Sequence, residues 1–304
     1  MKIIMINPKN DFSADQVASL ESAGGVVWIE DGKYQDNPVF SDPDEKIIAI
    51  SPEAISWEFP NEFIDKIVNL KAICVPTTDF AWLDGEHLRQ NGIIVTNVSK
   101  YSTESVAEYL VAMMLNVAKK LPLIIKNDWG LDYDKHQGHE VKGKTMGVVG
   151  LGSIGARVAQ IGKSIGMGVV YWSKNSRNDD FKFCELDDLL KTSDFVFATY
   201  VIDAETKNFI DKSKLDLMKS DAFFASVNWE EGFDLECALS KVADGSLAGL
   251  AFESEKKKIS DYEGNVWVTP PIAWFTREAA DEDMRIWVDN VLAVANGQAK
   301  NVVN

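Results

Sequence analysis

The run Thr145-Met-Gly-Val-Val-Gly150-Leu-Gly152-Ser-Ile-Gly155-Ala-Arg-Val-Ala-Gln constrains this chain more than any other. An apolar strand enters a Gly-x-Gly-x-x-Gly turn, and a helix leaves it. In that setting Gly150 permits the tight turn, Gly152 lets a pyrophosphate approach bare backbone, and Gly155 lets the helix pack close to the strand. The start of the helix, with Ser153 and Ile154 in its first turn, then offers unpaired N–H groups to phosphate. Three glycines alone are weak evidence, and a glycine-rich structural turn is the alternative. The strand before them and the helix after them favour dinucleotide binding.

Composition bounds the rest. A chain of 304 residues has room for two domains. It carries 31 Lys and Arg against 47 Asp and Glu, a formal charge of −16. That argues against nucleic acid or an anionic membrane as partner. An anionic cofactor must then be held by local backbone dipoles and a few placed cations. Cys74, Cys184 and Cys237 are far apart, read as buried thiols in a reducing compartment, and have no metal-ligand spacing. No cationic-then-apolar leader opens the chain and no apolar run approaches membrane-spanning length, so a cytoplasmic location is expected.

Short apolar strands are expected at Lys2–Asn7, Val26–Ile29, Lys46–Ile50, Ala72–Val75 and Ile93–Thr96, with helices at 13–23 and 61–69 among them. A long helix is expected from Ser102 to Leu121, capped by Ser102 or Thr103 and closed by Pro122. Beyond the glycine turn, strands at Gly168–Trp172, Phe195–Ala198, Ala222–Val227, Leu247–Phe252 and Val266–Val268 alternate with helices at 186–191, 212–218 and 235–242. A last helix, Glu278–Asn296, meets Gly297 as its C-cap. The alternation implies an α/β protein of two doubly wound parallel-sheet domains.

At this point the chain resembles the D-isomer-specific 2-hydroxyacid dehydrogenase family over nearly its whole length. The resemblance is carried by Asn97-Val98, Ser105-Val-Ala-Glu108, Gly143-Lys-Thr145 leading into the glycine turn, Ala204-Glu-Thr206, Leu217-Met-Lys219 and Thr269-Pro270. It implies a discontinuous flavodoxin-like substrate domain, residues 1–99 and 273–304, around a central Rossmann domain, residues 100–272. It also implies a homodimer with contacts around the long helix, a small-molecule substrate and a nicotinamide cofactor. In the family, hydride passes between nicotinamide and the oxygen-bearing carbon of a 2-keto or 2-hydroxy acid. A histidine handles the proton, a glutamate raises its pKa, and an arginine grips carbonyl and carboxylate.

Here the motif departs. The family's Thr-Pro-His-Ile-Ala reads Thr269-Pro270-Pro271-Ile272-Ala273, and proline can neither donate nor accept a side-chain proton. The arginine's place falls on Trp229, Glu230 or Glu231 depending on register, and no arginine lies between Arg177 and Arg277. The segment of the family glutamate looks shortened: the resemblance places Glu253 where the family has an aspartate near the nicotinamide amide, and Glu255 either stands at the glutamate's position or does not. Ordinary 2-hydroxyacid oxidation by the family mechanism is therefore not expected.

The cofactor set expected on this reading is Gly150, Gly152, Ser153, Ile154, Gly155, Ser173, Lys174, Arg177, Thr199, Tyr200, Thr206, Val227, Asn228 and Glu253. Ser173 stands where the family places an aspartate on the adenosine ribose, and Lys174 and Arg177 follow it. Losing the carboxylate removes repulsion against a 2′-phosphate, and two cations offer charge-assisted bonds to one. NADP is therefore favoured over NAD, against the alternative of a solvated loop with ordinary surface cations.

Thr77 and Thr78 match the family loop that meets the substrate carboxylate, although a plain turn fits them too, and Asp79 would repel a carboxylate. Lys100, Tyr101 and Glu231 are the candidate proton donors. His136 and His139 lie in a polar connection from which a substitute acid could reach across a dimer, and His87 reads as a surface residue. Trp229, Trp274 and Phe275 either fill the vacated site or bind an apolar ligand. The expected function is an NAD(P)-dependent oxidoreductase with a rebuilt active site. The rival is a catalytically silent dinucleotide-binding scaffold or redox sensor.

Overall fold

The computed structural model describes residues 1–227, 231–255 and 257–304. The chain forms two compact units, Met1–Tyr101 with Arg277–Asn304, and Ser102–Thr276.

The first unit opens on β1 (Lys2–Ile6), α1 (Ala14–Ala23), β2 (Gly25–Trp28) and β3 (Lys46–Ile50). α2 (Asn61–Ile64), β4 (Leu70–Cys74), α3 (Gly85–Gln90) and β5 (Ile94–Thr96) follow. All pairings are parallel, in the order β2-β1-β3-β4-β5, which is the flavodoxin-like order. Ile3, Ile4, Met5, Ile6, Ile47, Ile48 and Ile50 are fully buried, so β1 and β3 read as unbroken apolar runs. Ser13 starts α1 through a capping box, its Oγ accepting from Gln16 N at 3.2 Å while Gln16 Oε1 accepts from Ser13 N at 2.8 Å. The expected helix over 61–69 is a single turn: after Ile64 the backbone bonds shorten to i→i−3, Lys66 N donating to Phe63 O and Ile67 N to Ile64 O, both at 3.0 Å, before the chain enters β4.

The second unit begins with α4 (Thr103–Ala118) and α5 (Leu121–Lys126), then β6 (Thr145–Val149), α6 (Ser153–Ser164) and β7 (Gly168–Trp172). β8 (Lys182–Phe183), α7 (Leu186–Thr192), β9 (Phe195–Ala198), α8 (Lys212–Leu215), β10 (Phe223–Ser226), α9 (Leu235–Ala243), β11 (Gly249–Glu253) and β12 (Val266–Thr269) complete it. Its seven strands are all parallel in the order β12-β11-β10-β9-β6-β7-β8, a Rossmann order whose switch point lies between β6 and β9. The expected single helix to Leu121 is two helices. Lys120 takes φ +55, and Pro122 sits in the first turn of α5, where a missing N–H costs nothing. Two apolar layers, one against each face of the sheet, sandwich it: Leu110, Met114, Val158 and Tyr171 in one, Leu190, Leu215, Phe233 and Val242 in the other.

The chain then returns to the first unit as α10 (Arg277–Ala295), which packs on α1, β3 and β4 and buries Trp287, whose indole N–H donates to Cys74 O at 2.9 Å. Gly297, at φ +70, closes it, with Gln298 N donating to Ala293 O at 2.8 Å. The last residues pair along the edge of β5, through Val303 N to Val95 O at 3.0 Å. The three thiols are free. Cys74 is buried and its pKa is pushed up to about 12, whereas Cys184 and Cys237 are half-buried, which corrects the expectation for those two. Among the described residues no helix is long and apolar enough to cross a membrane.

Candidate functional site

Parallel pairing in register brings the strand ends of the second unit to one edge: Val149 opposite Trp172 and Ala198, Ser226 opposite Ala198, and Glu253 opposite Thr269. That carboxyl edge is where doubly wound sheets bind ligands. The three glycines each have a distinct steric role there. Gly150 adopts φ +97, and a Cβ on it would stand 2.6 Å from Tyr200 N. A Cβ on Gly155 would meet Gly150 O at 2.1 Å and Thr199 Oγ1 at 2.6 Å. A Cβ on Gly152 would meet nothing within 4 Å, so this residue faces open space.

Thr199 holds the turn shut, its hydroxyl donating to Gly150 O at 2.6 Å. The first helical bond of α6 runs from Ala156 N to Gly152 O at 2.9 Å, and no side chain caps Gly152. The N–H groups of Ser153, Ile154 and Gly155 are therefore left for an external acceptor, with the positive end of the helix dipole behind them. Gly152 and Ser153 are exposed. This geometry fits a dinucleotide pyrophosphate: a bare approach, free donors and a favourable field.

A cavity of about 550 Å³ continues from Gly152 past the end of β7, lined by Trp172, Ser173, Lys174, Thr199, Tyr200, Glu205 and Thr206 among others. Ser173 is buried, and its Oγ accepts from Ser176 N at 3.3 Å, tightening the loop. The Lys174 ammonium is ion-paired with the Glu205 carboxylate. Arg177 turns away from the cavity: Nη1 donates to Ser173 O and Ser176 O, both at 2.8 Å, and its guanidinium lies 4.4 Å over the Phe183 ring. Thr206 Oγ1 donates to Val201 O at 2.7 Å and accepts from Asp203 N at 2.7 Å, setting the far wall. The Tyr200 hydroxyl donates to Gly232 O, and burial pushes its pKa up.

At the other half of the edge, Glu253 is 5% exposed. Its Oε1 accepts from Ile272 N at 2.7 Å and Ala273 N at 2.8 Å, and Ser105 Oγ donates to Ala273 O at 2.5 Å. Burial raises the Glu253 pKa against the two N–H bonds, which lower it. The loop holding Pro271 is thus pinned from both sides by side chains that sequence reasoning did not connect to it. Val227 is half-buried beside the sheet core. Trp274 and Phe275 are 43% and 67% exposed and meet edge-to-face at 5.2 Å. Asn228, Trp229 and Glu230 lie outside the described residues.

The remaining candidates are placed as follows. Glu231 is exposed, 3.6 Å from Lys207 Nζ. His139 stacks edge-on against Phe223 at 5.5 Å, at the amino end of β10 and so on the opposite edge of the sheet from the glycine turn. His136 Nδ1 accepts from Asp132 N at 3.1 Å. In the first unit, Lys100 is exposed at φ +67 and Tyr101 packs half-buried against the core. Thr77 Oγ1 donates to Asp79 O at 2.6 Å within its own loop, and Thr78 Oγ1 donates to Val98 O at 2.8 Å, tying that loop to the segment after β5. Asp79 Oδ1 accepts from Ala81 N at 2.9 Å. His87 pairs with Asp65 at 2.7 Å on the surface. Among the described residues no group of His, Cys, Asp or Glu is placed to hold a metal.

Fold and cradle together define a Rossmann-type domain for a dinucleotide. Residues 111–270 match the family model described as D-isomer specific 2-hydroxyacid dehydrogenase, NAD binding domain. A Staphylococcus saprophyticus protein provisionally named a 2-hydroxyacid dehydrogenase is 30% identical over 266 residues, covering 82% of this chain and 84% of its own length. A glyoxylate reductase of Aeropyrum pernix is 29% identical over 268 residues, 80% of this chain and 79% of its own. The chain belongs to the D-isomer-specific 2-hydroxyacid dehydrogenase family and is an NAD-binding oxidoreductase homologue of that family.

Two solved structures share the fold. One is the D-lactate dehydrogenase of Aquifex aeolicus complexed with NAD and lactic acid, with TM-score 0.77, 24% identity, and 98% of this chain and 96% of that one covered. The other is an acyclic imino acid reductase in complex with NADPH and D-Arg, with TM-score 0.81, 24% identity, and both chains covered in full.

Proposed function

We propose that this protein is an NAD(P)-dependent oxidoreductase with a rebuilt active site, reducing a small-molecule substrate other than a simple 2-keto acid and preferring NADP. A bound reduced nicotinamide supplies hydride. The observation that carries the reading is the pairing of a sterically complete phosphate cradle at Gly150–Gly155 with Pro271 in the loop where the family keeps its acid–base histidine. Without an arginine nearby in sequence, a substrate carboxylate has lost its usual anchor, and the acidic residues of the 230–255 stretch suit a neutral or cationic substrate instead.

Of the candidate proton donors, Glu231 is engaged by Lys207, and His139 lies at the opposite edge of its own sheet, so the proton comes from Lys100, Tyr101, solvent or a loop histidine reaching across a dimer. For the cofactor, Ser173 brings no carboxylate to the end of β7, and Lys174 lines the cavity beside it. The family resemblance further implies a homodimer.

The test follows absorbance of NADPH and NADH against panels of keto acids, aldehydes, imines and activated alkenes. Imines head the panel because a protein of the same fold is described as an imino acid reductase. Turnover of a non-acid substrate is expected, and rapid reduction of pyruvate or glyoxylate refutes the rebuilt site. One observation favours the rival, a silent dinucleotide-binding scaffold or redox sensor: Oε1 of Glu253, the buried carboxylate beside the Pro271 loop, is committed to backbone. Tight dinucleotide binding with no turnover across the panel decides for it.

A further inference from the structure

The end of the cavity beyond β7 is not simply cationic. Lys174 lines it, but so do Glu205 and Asp203, and the Lys174 ammonium is held by the Glu205 carboxylate. Glu205 is positioned by its turn: its N–H donates to Asp203 Oδ1 at 2.8 Å, and the same carboxylate oxygen accepts from Thr206 N at 2.9 Å. The loop of Ser173 meets this turn across the cavity, 31 residues away in sequence. Arg177, the second cation near the ribose end, is bound to backbone carbonyls and to the Phe183 face. Lys174 is thus the cation that a 2′-phosphate arriving beside Ser173 would recruit, and Glu205 already occupies it.

We propose that Glu205 is a determinant of cofactor selectivity, an internal anion that competes with the adenosine 2′-phosphate for the Lys174 ammonium. NADH leaves the pair intact. NADPH has to draw Lys174 away and then sit near two carboxylates. Glu205 therefore holds the NADP preference below what Lys174 alone would produce and keeps both cofactors within reach. The inference rests on the reading that the 2′-phosphate binds at Lys174.

The test measures binding of 2′,5′-ADP, 5′-AMP, NADPH and NADH by calorimetry to wild type, Lys174→Ala, Glu205→Gln and the double variant, which needs no substrate. Glu205→Gln keeps the size of the side chain and removes its charge. It should tighten 2′,5′-ADP and NADPH about twofold to fivefold, the scale of an exposed ion pair, and leave 5′-AMP and NADH unchanged. In the double variant that gain should vanish. If Lys174→Ala weakens NADPH selectively while Glu205→Gln changes nothing, or changes both cofactors alike, the inference is overturned and the NADP reading stands. If Lys174→Ala costs NADPH and NADH equally, the NADP reading falls and takes the inference with it.

Discussion

Substituting two glycines of the turn separately splits folding from binding. Gly152 has φ −79 and ψ −163, a conformation open to alanine, and its added Cβ meets nothing. Alanine is a poorer N-cap than glycine by a few tenths to about 1 kcal/mol, but it lowers the unfolded chain's entropy by about 0.4–1 kcal/mol. The two offset, so Gly152→Ala should leave the melting temperature of the free protein nearly unchanged. The same methyl occupies the space through which a phosphate reaches Ser153, Ile154 and Gly155. Losing one charge-assisted backbone bond costs about 1.5–3 kcal/mol, a tenfold to 150-fold weaker dinucleotide.

Gly155→Ala behaves oppositely. Its Cβ would lie 2.1 Å from Gly150 O and 2.6 Å from the Thr199 hydroxyl, so α6 must move off β6 and the Thr199 bond must break. Overpacking of this kind costs about 1–3 kcal/mol, and each kcal/mol lowers the melting temperature by roughly 2–4 °C at this domain size. Thermal melts without ligand, and calorimetric titration with NADH and NADPH, measure both quantities. Unchanged affinity in Gly152→Ala refutes the placement of the pyrophosphate. A loss of stability in Gly152→Ala as large as in Gly155→Ala refutes the steric account.

Other outcomes follow from buried charge in the first unit. Lys46 is fully buried, its Nζ donating to Asp42 O, Asp44 O and Val68 O at 2.5, 2.7 and 2.7 Å, so Lys46→Met should cost about 1–3 kcal/mol for each carbonyl left without a partner, read in a urea titration; a total loss under about 1 kcal/mol would show the carbonyls are satisfied otherwise. The Asp283 carboxyl, with Oδ1 buried and unpartnered and Glu53 nearby, is pushed up to about 7. A folded-state value above the unfolded one means the folded chain holds the extra proton, so stability is lost as pH rises from about 4 through 7. Asp283→Asn should therefore melt higher than wild type at pH 8, by roughly 1–3 kcal/mol after solvent screening, and match it near pH 4. A constant difference at all pH values would assign the effect to packing.

Much of this site was legible in the residues because its logic is local. The strand, the glycine spacing and the helix sit within one short segment, and each glycine's steric role follows from backbone geometry that any chain obeys. Ser173 could be located by its distance from that turn along the chain. Pro271 was visible for the same reason, since the residue after Thr269-Pro270 is read without coordinates. The break at Lys120 was less legible, because Pro122 fits the end of one helix or the first turn of the next equally well in sequence.

By itself, then, the sequence determined that two parallel α/β layers form, that one of them carries a dinucleotide cradle, and that proline follows Thr269-Pro270. Tertiary structure alone decided which partners the chemistry-bearing side chains take. Glu205 meets Lys174, Glu253 pins the Ile272–Ala273 backbone, and His139 is carried to the far edge of the sheet. The physical reason is range. Strand and turn propensities act over a few residues, whereas ion pairs and buried hydrogen bonds join groups that only the order of the strands brings together.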